Sequence, residues 1–417
     1  MLDLKFIRDN IDFVENALLK RITADSFDLK VLLNLDDQRK TLIKKVETLK
    51  AERNLHSKSK PSSEIITNMK SIGNEIKTLD EELGALEEKI NEQLAALPNL
   101  PADDVLAGGK ENNEVVYSFS KKPEFNFPSK DHVELAESLG IIDYERAAKM
   151  SGAGFWCYRG LGALIEWALL SYFINYHQKN NYQFLIPPFL LSEQSAYTSG
   201  HLPKFRDDLF WTQDKLCLNA TSEMMLGNYH RAEILNINEL PLKYYAYSPC
   251  FRREAGSYRQ EERGMIRGHQ FNKVEMFIFC RPEDSWAMFD ELLTHAKALI
   301  EGLDLHYQAA KLAAGDCSAA MAKTYDLEVW LPSMGIYKEV SSVSNALDYQ
   351  ARRGQTRFKN EKGENYFVHT LNASGLATSR LLPAILEQNQ QADGSVLIPK
   401  VLRPYLPGSP EFIYPKE

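Results

Sequence analysis

FRRE at residues 251–254, AGSYRQEERG at 255–264 and MIRGHQFNKVEMF at 265–277 run on from one another, and their reading decides the fold. FRRE closes a strand-like run, a polar segment interrupts it, and alternation of apolar and polar residues resumes after Met265. The stretch reads as two antiparallel strands joined by a loop. It carries Arg252, Arg259, Arg263 and Arg267 near one hairpin, with Glu254 and Glu275 beside them. A planar guanidinium matches phosphate oxygens well. Structural ion pairing would absorb one or two of these arginines and accounts less well for all of them.

Further strands are expected at 182–186, 242–248, 325–330, 337–342 and 366–371. Helices are expected at 131–149, 161–178, 223–233, 282–302, 306–313 and 375–389. Several strands follow one another without a helix between them, which predicts a mostly antiparallel sheet flanked by helices, an α+β fold. No G-x-G-x-x-G or G-x-x-x-x-G-K-[ST] occurs, so a nucleotide would need another kind of site. NASGLATSR at 372–380 reads as a strand end, a turn and a helix start. Gly375 allows close approach there. Arg380 could hold a phosphate against the helix start or pair with Glu387. Glu328 and Glu339, the latter followed by Ser341 and Ser342, offer the oxygen ligands that Mg²⁺ prefers.

The texture differs over residues 32–97. Leu35, Arg39, Leu42, Val46, Leu49 and Arg53 recur at steps of four and three. Met69, Ile72, Ile76, Leu79, Leu83, Leu86 and Ile90 do the same, continued by Leu94 and Leu97. This is a heptad seam. SKSKPSSE at 57–64, with Pro61, breaks it into an antiparallel two-helix arm. Residues 35–60 hold eight basic and four acidic residues, and 64–92 hold three and eight. Lys44, Lys45, Lys50, Arg53, Lys58 and Lys60 could form a strip for a phosphate backbone. A solvated coiled-coil surface or a protein contact is the alternative.

The chain has 417 residues, 44% of them apolar, which suits two or three folded units. A net charge of −8 argues against wholesale coating of nucleic acid but leaves room for a local basic patch. The five cysteines are widely spaced and form no C-x-x-C pair, so free thiols are expected and a zinc site is not. No secretory signal or membrane span is expected, and the cytosol is the expected compartment. The domain boundaries read as 1–100 with the arm at about 32–97, a linker at 101–126, and a second domain at 127–417.

These motifs, with TSGHLPKF (198–205), TSE (221–223), YDLEVWLPS (325–333), SSVSNALDYQARR (341–353) and HTLNASGLATSRLLPAILE (369–387), resemble class II aminoacyl-tRNA synthetases. The specific likeness is to bacterial-type seryl-tRNA synthetases, over essentially the whole chain. The resemblance implies ATP-dependent activation of L-serine and its transfer to serine tRNA, with selenocysteine tRNA as a further candidate. It implies that Arg252 bridges the α-phosphate and the serine carboxylate. Glu254 would lie near the adenine and Phe271 would stack on it, while Arg267 and Arg380 hold the terminal phosphates. Glu339 and Ser342 would ligate Mg²⁺. Thr221, Glu223 and Glu275 would read the serine, with Asn372 and Ser374 lining the pocket. The N-terminal domain, residues 1–100, would bind tRNA through its arm, and the helix and strand ending at Pro188 would form a homodimer interface. The chain departs from the family at four places: SYRQEERG at 257–264 replaces a smaller glycine-containing turn, Val343 stands where cysteine is common, Ala373 where glycine is frequent, and the arm is shorter near 60–64. The alternatives are a related ligase loading a non-tRNA acceptor, and a non-catalytic RNA-binding paralogue. The latter predicts losses among Arg252, Glu254, Glu339 and Arg380, and all four are present.

Overall fold

A narrow apolar stripe can bury only one side of a helix, and here two such stripes face each other. The computed structural model describes residues 1–56, 63–254 and 264–416. The chain divides into two units, Met1–Pro98 and Asn99–Glu417. The first comprises α1 (Leu4–Asp9), α2 (Ile11–Leu19), α3 (Leu29–His56) and α4 (Ser63–Ala96). Val46 of α3 packs with Ile72, Ile76 and Leu79 of α4, and Leu42 and Leu49 lie against them. Leu86, Ile90 and Leu94 extend the buried row. Arg39 belongs to an ion cluster rather than to this row. It joins Arg8 and Lys40 on Asp36, which is 2% exposed. Burial pushes the Asp36 carboxyl up, but hydrogen bonds from the three cations outweigh it and leave the group at about 2.

The second unit is built on an eight-stranded sheet: β1 (Glu114–Phe119), β2 (Gln183–Leu185), β3 (Leu242–Phe251), β4 (Gln270–Cys280), β5 (Tyr307–Lys311), β6 (Lys323–Leu331), β7 (Ile336–Leu347) and β8 (His369–Ala377). The order is β1-β5-β6-β7-β8-β4-β3-β2. Within this sheet, among the described residues, the pairing of β2 with β3 is parallel and the others are antiparallel. Period-two alternation sorts the side chains of β4. Val274, Met276, Ile278 and Cys280 enter the main core, leaving Phe271, Lys273 and Glu275 on the other face. Phe277 and Phe279 continue that other face into a second apolar cluster with Leu226 and Phe358. Three helices cover the main core through Ile165 and Phe173 of α5 (Leu161–Lys179), Phe289 and Leu299 of α6 (Ser285–Gly302), and Leu381 and Ile385 of α8 (Thr378–Gln388). The α+β arrangement read from the sequence is the one observed. Val343 and Ala373, two of the departures from the family, are register partners across β7 and β8, and both are fully buried.

Several local expectations are corrected. The helix predicted at 306–313 is strand β5, because β1 and β6 pair with it on both sides and override alanine's helical preference. The stretch 101–126, read as linker, contains β1 at the sheet edge. Its residues are mostly exposed, so no alternation marked it. The helix predicted at 223–233 stops at Leu226, since the chain passes the Phe277 ring at Gly227 and turns away to a short strand, Ile234–Asn236. The helix predicted at 131–149 is two, His132–Leu139 and Tyr144–Ser151, broken where Gly140 adopts a φ of 63°. Gly375 lies within β8 rather than in a turn.

What approaches Gly375 is the buried His177 ring, whose Nε2 lies 3.5 Å from the Gly375 carbonyl oxygen. A Cβ at that position would run into the imidazole. Gly375→Ala is therefore expected to lower stability by about 2 kcal/mol, read as a lower urea midpoint with an unchanged slope. An unaltered midpoint would mean that His177 moves freely aside.

Candidate active site

The site grows from the face of β4 turned away from the main core. Glu275, 1% exposed, accepts from Asn372 Nδ2 at 3.0 Å and from Ser374 Oγ at 3.2 Å, both on β8. Lys273 Nζ lies 2.5 Å from Glu275 and donates to Thr221 Oγ1 at 2.7 Å. Thr221 precedes the four-residue helix Glu223–Leu226, which buries Glu223 beside the same group. Burial first, and then the neighbouring Glu275 charge, push the Glu223 carboxyl up to about 7 against the pull of Lys273, Gln350 and Arg252. Lys273 thus pairs directly with Glu275, while Glu223 feels the charges of Lys273 and Arg252 through space and takes its hydrogen bond from Gln350. Thr221, Glu223, Glu275, Asn372 and Ser374 are brought together as a polar, buried cluster.

Arg252 follows β3 directly. Its backbone N–H donates to the His269 carbonyl at 3.0 Å, and its guanidinium lies 5.2 Å from the centre of the Phe271 ring. The half-buried side chain donates at 3.4 Å to the Ala220 carbonyl, beside Thr221. Glu254 adopts a φ of 52° and forms an ion pair with Arg267. Arg380, in the first turn of α8, donates to the Glu339 carbonyl at 2.7 Å and to the Ile266 carbonyl at 3.2 Å. Its guanidinium lies 3.4 Å from the Glu339 carboxylate. Arg380 does not pair with Glu387, whose carboxylate instead takes His132 and Ser333.

Ser342 Oγ sits between two carboxylates, 3.0 Å from Glu339 and 2.6 Å from Asp326. Burial, then the Glu339 charge, push Asp326 well above the usual carboxylate range. Burial also opposes ionisation of Glu339, but Arg380 and Arg252 outweigh it and hold that group low. The donor set is oxygen only, two carboxylates and a hydroxyl, which is the ligand type a hard divalent ion prefers. Glu328, expected here from the sequence, instead accepts from Gln308 Nε2 at 2.8 Å on β5. Asp326, two residues earlier, takes its place.

Lys273, Asp326 and Gln350 join the site although no motif marks them. Lys273 lies between Phe271 and Glu275 at the step of two, so strand alternation alone would have placed it on the same face. Asp326 and Gln350 carry no such local signal. In the arm, Lys45 pairs with Glu75 at 3.0 Å and Lys50 with Asp80 at 3.4 Å, while Lys44 is exposed and Arg53 half-buried. Lys58, Lys60, Arg259, Arg263 and the loop at 257–263 lie outside the described residues. Among the described residues no helix is long and apolar enough to cross a membrane.

Residues 205–389 match the family model for the tRNA synthetase class II core domain (G, H, P, S and T), and residues 1–101 match the seryl-tRNA synthetase N-terminal domain. The chain is 52% identical to serine–tRNA ligase 2 of Clostridium acetobutylicum, over 97% of this chain and 99% of that protein. It is 45% identical to the serine–tRNA ligase of Syntrophobacter fumaroxidans, over 97% and 98%. The crystal structure of seryl-tRNA synthetase from Pyrococcus horikoshii complexed with ATP matches over the whole of both chains, with a TM-score of 0.92 at 33% identity.

Proposed function

The chain belongs to the seryl-tRNA synthetase family, and on that footing we propose that it condenses L-serine with ATP and passes the seryl group to serine tRNA. One observation carries the reading to the residues: the Arg252 guanidinium, over the Phe271 ring, acts both on Glu223 in the carboxylate-lined pocket and on Glu339, which clusters with Ser342 and Arg380. A small zwitterion and a triphosphate require those two environments side by side.

The serine ammonium enters beside Glu223, Glu275 and Thr221, and its positive charge favours the ionised form of Glu223. The hydroxyl is read by Glu275, with Asn372 and Ser374 around it. Alanine leaves those buried groups unpaired and is rejected for that reason. Arg252 holds the serine carboxylate and the α-phosphate together, while Phe271 and Glu254 receive the adenine. Arg267 and Arg380 take the terminal phosphates. Magnesium held by Glu339 and Ser342, next to Asp326, would supply further positive charge to the phosphates. No protein nucleophile is needed, because the substrate carboxylate attacks the α-phosphorus and pyrophosphate leaves. The 3′-terminal ribose hydroxyl of the tRNA then attacks the seryl carbonyl and AMP leaves. Positioning and charge neutralisation provide the acceleration.

For tRNA, the arm offers Lys44, Lys45, Lys50 and Arg53. The pairs that Lys45 and Lys50 make are about half exposed and therefore cost little to exchange for phosphate. Leu164 and Trp167 of α5, 44% and 57% exposed, and Ile186 beyond β2, 72% exposed, support a homodimer formed through that face. The deciding experiment combines labelled serine, ATP, Mg²⁺ and total tRNA. Label is expected on RNA, and none is expected with a chelator present or with alanine in place of serine. Pyrophosphate exchange without labelled RNA would redirect the reading to another acceptor.

A further inference from the structure

Gln350 lies on α7 (Tyr349–Gly354), within the SSVSNALDYQARR segment, and is 2% exposed. Its Nε2 donates to Glu223 Oε1 at 2.7 Å and to the Ser199 carbonyl at 2.9 Å. Its Oε1 accepts from Thr370 Oγ1 at 2.8 Å. Both amide protons and the amide oxygen are committed, so the group cannot flip without losing all three bonds. Ser199 belongs to TSGHLPKF, and Thr370 stands on β8 two residues before Asn372. One neutral side chain thus ties three separate pieces of the pocket wall together, and the charged partner among them is Glu223.

We propose that Gln350 is a positioning residue for amino-acid recognition, holding the Glu223 carboxylate in the orientation and charge state that receive the substrate ammonium. The proposal rests on the reading of Glu223 as part of the serine pocket. Lys273 and Glu275 face Glu223 from β4, Arg252 from the end of β3 and Gln350 from α7, while β8 presents the neutral Thr370, Asn372 and Ser374. Burial, and then Arg252, Lys273 and Arg353, lower the nearby His201 imidazole to about 3, so it adds no charge near neutrality. Lys273 already balances Glu275. Glu223 is the carboxyl that burial and Glu275 push up to about 7, and Gln350 is one of the groups pulling it down. Removing that N–H donor raises the group further, and a smaller share of the protein is then ionised near neutrality.

The test follows serine-dependent exchange of pyrophosphate into ATP over roughly pH 6 to 8.5 in the full chain. The variants are Gln350→Met, Thr370→Val and Glu223→Gln. Methionine keeps the volume but cannot donate. Gln350→Met is expected to raise the serine KM about tenfold near neutrality, the scale of one hydrogen bond to a charged group. The KM for ATP should stay within about twofold, and most of the serine defect should vanish at the alkaline end as Glu223 ionises. Thr370→Val leaves the amide present but unanchored, and about a threefold rise with the same pH trend is expected. An unchanged serine KM in Gln350→Met overturns the proposal. So does a rise that is equal at every pH and shared by ATP, which is what general loss of packing would give. If the methionine variant does not fold, an unchanged serine KM in Thr370→Val overturns it alone. If Glu223→Gln also leaves the serine KM untouched, the pocket assignment itself has failed, and the proposal falls with it.

Discussion

Arg252→Ala is expected to abolish serine-dependent pyrophosphate exchange, by about 10³-fold or more, while the folded protein persists. The size follows from what the guanidinium is asked to do. Its charge acts on both Glu223 and Glu339, and it lies over Phe271, the ring proposed to receive the adenine. Removing one preorganised donor from a site of developing charge costs about 10² to 10³ in rate, and this donor is proposed to serve both reactants. The fold loses little, because the side chain's hydrogen bond to the Ala220 carbonyl is long, at 3.4 Å, and the strand register of β3 with β4 is carried by the backbone. Thermal unfolding within a few degrees of the parent, together with absent exchange, is the expected pair of results. Lysine should not restore activity, since a point charge cannot reproduce a planar fork. Normal adenylate formation in the alanine variant would refute the assignment.

Removal of residues 35–94 is expected to have the opposite signature. The polar pocket, the Arg252–Phe271 stack and the Glu339–Ser342–Asp326 cluster all lie in the unit Asn99–Glu417, whereas the deleted helices belong to Met1–Pro98. Adenylate formation should therefore stay within a fewfold of the parent. Charging of serine tRNA should fall by about 100-fold or more, because several phosphate contacts are lost at once. The intact protein should in turn lose charging efficiency steeply as salt is raised, and the shortened one should not. Unchanged charging after the deletion would remove the arm from tRNA recognition. An equal loss of adenylate formation would show instead that the deletion damages the catalytic unit.

The legible parts of this chain were those with a short period. The 3.5-residue repeat that places Val46, Ile72, Ile76 and Leu79 was readable because a coiled-coil seam is a local pattern. The alternation from Gln270 to Cys280 was readable for the same reason, and it put Phe271 and Glu275 on one face. Where the pattern was weak, reading failed. β1 is an exposed edge and lacks apolar alternation, while β5 is rich in alanine and looks helical until its neighbours are known.

The sequence by itself determined the two-helix arm, the antiparallel character of the sheet, and the guanidiniums and carboxylates available for chemistry. Each of these follows from spacing along the chain. Only the tertiary structure decided which polar groups meet. Glu223 and Gln350 stand 127 residues apart, Thr221 and Lys273 52 apart, and Ser342 and Asp326 16 apart on separate strands. Hydrogen bonds across such separations depend on strand register and helix docking, which side-chain order alone does not specify. That is why Asp326, rather than Glu328, shares the Ser342 hydroxyl, and why a buried glutamine came to stand against the pocket's least balanced carboxylate.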